Sequence, residues 1–220
     1  MSLKNILRWP FLFYIRLLAK LAILINKPKI IGVTGSAGKS SLRDILFSAI
    51  SPSFKTKTIK KGNSETGIPF GILGVKVTTY SFKNWIILAF KAPFGLLYLK
   101  NTEYLIIEYG IDDPYPPKNM DYLLSIVKPQ IAILLNVYPV HTMQFEKVLD
   151  KKQKKLTAIK KESLLLEALA KQKSKILCSA PEKGLAIYPK NFFYLKKIKN
   201  KIKAKMISFD TNSNSGQIQV

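Results

Sequence analysis

Apolar positions along the chain fall into short aliphatic, β-branched runs separated by segments of helical period. The runs are 29–34, 55–59, 104–109, 130–135, 174–178 and 204–209. Each has Gly, Pro, Asn, Lys or Ser on at least one side. Between them, Leu42, Ile45, Leu46 and Ala49 recur at helical spacing in 39–50, which Ser51-Pro52-Ser53 ends. Segment 118–127 reads as a short helix stopped by Lys128-Pro129, 146–171 as a lysine-rich helix, and 191–198 as another. Segment 81–99 reads as a helix, a break at Pro93 and Gly95, and a second short helix; its Trp85, Ile86, Phe90 and Phe94 suit either a core or a membrane-facing surface. The stretch 61–69 is a polar, glycine-bounded loop, and 211–217 a polar loop or frayed end. Strands alternating with helices predict an α/β fold: three layers around a mostly parallel sheet.

Ahead of the first strand lies an apolar, basic lead-in, residues 1–28. Pro10 suits the first turn of a helix running to about Ile25. Arg8, Arg16 and Lys20 fall within about 120° of one helical face. No run of about 18 uncharged residues occurs, which argues against a spanning helix. No small-residue cleavage site follows, which argues against a signal peptide. Two readings stand side by side: a helix lying on the inner face of the membrane, or a helix packed on a protein domain.

Composition narrows the chemistry. One cysteine, Cys178, rules out an internal disulfide and suits a reducing cytoplasm, and one His with one Cys makes a structural zinc site a poor fit. The formal charge is +23, a field that attracts nucleic acid, anionic lipid or anionic substrates. Only Arg8, Arg16 and Arg43 are arginines among 36 basic residues. Nucleic-acid sites favour arginine for bidentate contacts, so a lysine-biased composition is the preferred account, with no nucleic-acid partner expected.

The densest chemistry sits at the end of the first run, Thr34-Gly35-Ser36-Ala37-Gly38-Lys39-Ser40-Ser41. A buried strand leads into a glycine turn and the first turn of a helix. Inward-facing N–H groups and the helix N-terminus suit a polyphosphate; Lys39 would neutralise it, and the Ser40 hydroxyl would ligate Mg²⁺. The usual phosphate-loop pattern has a Gly where Val33 stands, so this is a tighter variant. Farther on, Glu108 ends a strand at its carboxyl edge, where ligands sit in open α/β sheets. A carboxylate opposite a hydroxyl is what Mg²⁺ requires.

The loop variant resembles that of the Mur ligase superfamily, the ATP-dependent amide ligases of peptidoglycan and folylpolyglutamate synthesis. The resemblance runs from about Ile30 to Phe209. Lys61-Gly62-Asn63-Ser64-Glu65-Thr66-Gly67-Ile68-Pro69 is similar to the family loop that faces the γ-phosphate and substrate, which makes Asn63 and Thr66 substrate-binding candidates. Glu108 matches the family's metal-binding Glu, with Asp112 and Asp113 weaker candidates. Asn136 and His141 match an Asn-x-x-x-x-His element whose His helps hold metal and phosphate. The run from Glu108 through Lys128-Pro129, Asn136 and His141-x-x-Gln144-Phe145 is most similar to the ligases that add D-alanyl-D-alanine. The family also carries a carbamylated lysine followed by apolar residues at +3 and +4; Lys161, with Leu164 and Leu165, fits that register, and Lys160 less well. Where the family shows Asn-x-Asp-Asp, this chain has Tyr188-Pro189-Lys190-Asn191-Phe192.

The resemblance implies a domain division, a reaction and a site. Residues 1–28 are the lead-in helix and 29–220 a central ATP-binding domain whose C-terminal Rossmann-like companion is not in this sequence. ATP would phosphorylate a carboxylate of the UDP-N-acetylmuramoyl tripeptide, and D-alanyl-D-alanine would attack the acyl phosphate. Catalysis would fall to Lys39, Glu108, His141 and Lys161, ATP binding to residues 34–41 and Asn136, and Mg²⁺ to Ser40, Glu108 and His141. Two alternatives remain: another ligase of the superfamily, such as folylpolyglutamate synthase, and a non-catalytic, membrane-associated nucleotide-binding protein.

Overall fold

The structure is a computed structural model that describes residues 3–60, 62–77, 81–139 and 142–210. His141 and the tail 211–217 lie outside them. The described strands are β1 (Lys29–Thr34), β2 (Thr56–Thr58), β3 (Tyr104–Glu108), β4 (Ile131–Leu134), β5 (Leu185–Pro189) and β6 (Lys205–Phe209). They form one parallel sheet in the order β2-β3-β1-β4-β5-β6. The helices are α1 (Leu3–Asn26), α2 (Lys39–Ile50), α3 (Gly67–Ile72), α4 (Phe82–Lys91), α5 (Met120–Ile126), α6 (Ala158–Ser179) and α7 (Leu195–Ile198).

Each strand-to-strand crossover is right-handed by rule, so the direction of travel along the sheet decides which face a helix covers. The step from β1 to β2 runs one way and carries α2. Every later step runs the other way. Accordingly α2 packs Leu42, Leu46 and Phe47 on a small core of Ile31, Val33, Ile106 and Ile133. The larger core, on the opposite face, gathers α1, α3, α5 and α6 against Ile30, Leu105, Ile107 and Leu134. The sequence reverses direction around β1, flanked by β3 and β4. Ligands of open α/β sheets bind beyond the carboxyl ends at such a switch point.

Three expectations are corrected. Residues 174–178 are not a strand but the last turns of α6, and the fifth strand is Leu185–Pro189. A short apolar run such as Ile176-Leu177-Cys178 has no period of its own. Its burial together with Leu165, Leu169 and Lys173 makes one helical stripe. Segment 146–171 is not one helix: two 3₁₀ turns, Thr142–Val148 and Gln153–Lys155, precede α6. Asp150 and Gln153 close the chain between them, the Gln153 N–H donating to Asp150 Oδ1 at 2.7 Å and the Asp150 N–H to Gln153 Oε1 at 3.0 Å. Finally, Pro10 lies inside α1, not in its first turn.

The β1 centre is tightly built. A Cβ on Gly32 would stand 2.9 Å from both Pro129 Cβ and the Tyr109 ring. Tyr109 is fully buried, its hydroxyl donating to Val127 O at 3.0 Å. We predict that Gly32→Ala costs roughly 1–3 kcal/mol through overpacking, read as a lowered urea midpoint with an unchanged slope.

Candidate functional site

Residues 35–38 bridge β1 and α2. Gly38 takes φ +78°, the left-handed region that favours glycine. As the residue that opens α2, it offers no side-chain cap to the first helical N–H groups. Asn136, just past β4, shapes the turn: its Oδ1 accepts from the Ser36 and Ala37 N–H groups at 2.9 Å each, and its amide donates to Ala37 O at 3.1 Å. Ser36 Oγ exchanges hydrogen bonds with the Tyr138 backbone. Thr34 is buried, its hydroxyl donating to Tyr109 O at 2.9 Å and pinning β1 to the end of β3. Ser40 and Ser41 are exposed on the first turn of α2.

Glu108 ends β3 one strand away, opposite Val33 in register. Both carboxylate oxygens are engaged. Ser40 Oγ donates to Oε2 at 2.8 Å, Asn63 Nδ2 to Oε1 at 3.1 Å, and Arg43 Nη1 lies 3.4 Å from Oε2. The structure thus brings together Ser40, Asn63 and Glu108. Gly110 makes room for Asn63, whose side chain a Cβ there would meet at 2.6 Å, and the Gly110 N–H donates to Asn63 O at 2.8 Å. Thr66 stands apart, its side chain capping nothing as α3 begins. Glu65 is buried and pairs with Arg8 of α1 at 3.3 Å, tying this loop to the lead-in helix.

Two residues of the site escaped the sequence reading. Arg43, on α2, is buried and links Glu108 to Asp44 and to the carbonyls of Ile59 and Lys60. Its signal was position: it lies three residues past Ser40, on the same helical face. The second is Lys173. Its Nζ donates to Gly35 O at 2.7 Å, the carbonyl that Lys39 Nζ also reaches at 3.1 Å. Lys39, Lys173, Ser36, Asn63 and Asp112 line a cavity of about 150 Å³. Burial, reinforced by the Lys39 charge and opposed by Asp112, lowers the Lys173 pKa to about 7. Lys161 and Lys160 are instead on the first turn of α6, about 18 Å up the helix from Lys173 at 1.5 Å per residue. The register of a lysine with apolar residues at +3 and +4 fits Lys173 as well, with Ile176 and Leu177.

Hard-cation chemistry can be tested on this donor set. A hydroxyl (Ser40) and a carboxylate (Glu108) from two elements suit Mg²⁺, which takes much of its shell from phosphate and water. The Ser40 hydroxyl can turn its proton away and offer a lone pair. The residues therefore fit the ion, although no group of three or more His, Cys, Asp or Glu side chains occurs among the described residues.

The low Lys173 pKa has a stability consequence. Between about pH 7 and the ordinary lysine value of 10.5, the unfolded chain holds a proton that the folded chain does not, so stability rises with pH across that window. Lys173→Met should remove this rise. Comparing urea midpoints of the two proteins from pH 6 to pH 10 measures it, and parallel curves would refute the assignment.

No family model matches the chain. Curated relatives do, among them two UDP-N-acetylmuramoyl-tripeptide–D-alanyl-D-alanine ligases. The ligase of Buchnera aphidicola subsp. Baizongia pistaciae is 26% identical over 188 residues, 84% of this chain and 31% of its own length. That of Borreliella burgdorferi is 32% identical over 167 residues, 74% of this chain and 26% of its own. This chain thus spans about a quarter to a third of the length of these relatives. Among solved structures, MurF ligase from Thermotoga maritima in complex with ADP superposes with a TM-score of 0.64 at 21% identity, covering 92% of this chain and 37% of that one. MurF from Acinetobacter baumannii gives 0.61 at 20% identity, covering 89% and 34%. By fold and by sequence together, the chain is a MurF-like member of the Mur ligases over the stretch that these proteins share with it.

Proposed function

We propose that residues 29–220 are the ATP-binding domain of a ligase that joins D-alanyl-D-alanine to UDP-N-acetylmuramoyl tripeptide through an acyl phosphate, in the cytoplasm. The observation that carries this reading is the convergence of Lys39, Ser40, Asn63, Glu108 and Lys173 around one uncapped helix N-terminus. The N–H groups that open α2 would hold the polyphosphate, and Lys39 would leave Gly35 O to follow the charge on the transferring phosphoryl group. Ser40 and Glu108, with His141 by the family resemblance, would hold Mg²⁺. The ion, when bound, supplies charge neutralisation between the phosphates. Arg43 holds the Glu108 carboxylate in place, and Asn63 aims its amide into the same space. No side-chain nucleophile is needed: the substrate carboxylate attacks the γ-phosphorus, ADP leaves, and the incoming amine then displaces phosphate.

The carbamylated lysine of the family falls, in this reading, to Lys173 rather than Lys161 or Lys160. Carbamate formation needs a free amine: the nitrogen lone pair attacks CO₂ and a proton leaves. Burial leaves Lys173 substantially neutral near pH 7, and its product would be an acidic oxygen donor facing Lys39. Peripheral contact of residues 1–28 with the inner face of the membrane belongs to the same proposal.

Lys39→Ala should weaken Mg-ATP binding at least ~100-fold, about 3 kcal/mol, with an unchanged urea midpoint, by isothermal titration. Unchanged affinity would sink the phosphate-site assignment. Phosphate release that requires both the muramoyl tripeptide and D-alanyl-D-alanine would test the reaction; release with a folate and glutamate instead would move the chain to the folylpolyglutamate branch. Lys173→Ala should abolish that release while Lys161→Ala and Lys160→Ala leave it within about twofold, and bicarbonate depletion should slow only proteins that retain Lys173.

A further inference from the structure

α1 and α4 together form one outward surface. They run side by side in the same direction. The Phe11 and Trp85 rings stack with centroids 4.8 Å apart, the Tyr14 hydroxyl donates to Ala89 O at 3.1 Å, and the Asn26 amide donates to Leu96 O at 2.7 Å. The inward side of α1 is core: Leu12, Ile15, Ala19 and Ala22 are at most 1% exposed. Its opposite side carries Trp9, Phe13, Leu17, Leu21 and Leu24, all exposed. On α4 and the turn that follows, Ile86 and Leu97 are exposed, with Phe90 at 74% and Phe94 at 90%. In each helix this stripe lies about 100–130° around from the side touching the other helix. In α1 the turn is clockwise and in α4 anticlockwise, so the two stripes look the same way. Single exposed apolar residues need no account, but a continuous aromatic and aliphatic face across two helices does.

Charge selects what covers it. Neither 1–43 nor 66–102, the stretches holding both helices, contains an Asp or Glu. Lys20, Lys27, Lys91 and Lys100 are exposed on or beside the same elements. A second copy of this chain would set two cationic rims against each other, which like charges oppose. A transbilayer course for α1 is within reach by length and composition over Arg8–Asn26. It would, however, strip four core side chains and break the Arg8–Glu65 pair and the Arg16 hydrogen bond to Ser125 Oγ at 3.2 Å. An anionic lipid surface meets both features, taking the apolar face into the acyl boundary and the lysines among the phosphates.

We propose that the joint α1–α4 face docks the folded protein in the plane of an anionic bilayer, with neither helix crossing it. This enlarges the membrane contact proposed for residues 1–28 and is independent of the ligase reaction. The test is vesicle co-sedimentation of the full chain. It should bind phosphatidylcholine–phosphatidylglycerol vesicles, less so as salt rises, and not pure phosphatidylcholine. Phe90→Ser with Phe94→Ser, and Phe13→Ser with Leu17→Ser, should each lower the partition coefficient at least ~10-fold. Ile159→Ser, at an apolar site 82% exposed elsewhere, should not change it. Mg-ATP affinity and urea midpoint, measured in parallel, should stay at wild-type values and so show that the variants fold. The proposal is overturned if wild type ignores phosphatidylglycerol vesicles, if the α4 pair binds as well as wild type, or if the substitutions dissociate a dimer that never bound lipid. Loss of ATP binding in the wild type would sink the ligase reading alone.

Discussion

A carboxylate that is 5% exposed has to find its hydrogen bonds inside the protein, and Glu108 finds them from three side chains on two other segments. Ser40 and Arg43 reach it from α2, Asn63 from the loop before α3. Leaving out Arg43 would leave a buried charge unpaired, and leaving out Ser40 or Asn63 would cost that charge a hydrogen bond, so the end of β3, the start of α2 and the glycine-bounded loop are held in one arrangement. The same constraint places a hydroxyl and a carboxylate within 2.8 Å at the carboxyl edge of the sheet. What stabilises the fold here is also what would serve the proposed cation site.

Across the turn the electrostatics have the opposite sign. Lys39 and Lys173 meet on one carbonyl oxygen, that of Gly35. Burial first, and the neighbouring Lys39 charge second, bring the Lys173 pKa down to about 7, so the buried amine gives up its proton near neutrality. The site therefore has a cationic wall, a carboxylate wall and a helix start without a side-chain cap between them. In the proposed function that combination would suit a metal-bound polyphosphate, whose charge needs donors on one side and a cation on the other.

α1 is built into this arrangement rather than appended to it. Its inner face is part of the main core, and Arg8 neutralises Glu65 on the loop that carries Asn63. Interior apolar residues and a partly exposed ion pair thus fix one side of the helix, and the other side is left to aromatic and aliphatic residues in water. Neither sequence reading of residues 1–28 excluded the other in the end: the helix packs on the domain and still presents an apolar face.

Legibility followed the range of the determining interaction. Periodicity, glycine positions and the Lys-Ser pair are local, so β1, the turn, α2 and the strands before residue 140 were readable, as was the pairing of Ser40 with Glu108. Where two periods compete over a short apolar run, local pattern has no answer. Ile176-Leu177-Cys178 became helix because the buried stripe of α6 continues through it, and α6 started late because Asp150 and Gln153 tie the chain before it. Lys161 and Lys173 are equivalent in register. Only the packing of α6 beside β1 decides that Lys173 reaches Gly35 while Lys161 lies about three turns away. Local pattern alone was enough for the fold class, the glycine turn and the identity of its charged groups. Which lysine enters the site, how Glu108 is neutralised and which side of α1 faces water were decided by tertiary structure, because burial and long-range pairing have no local signature.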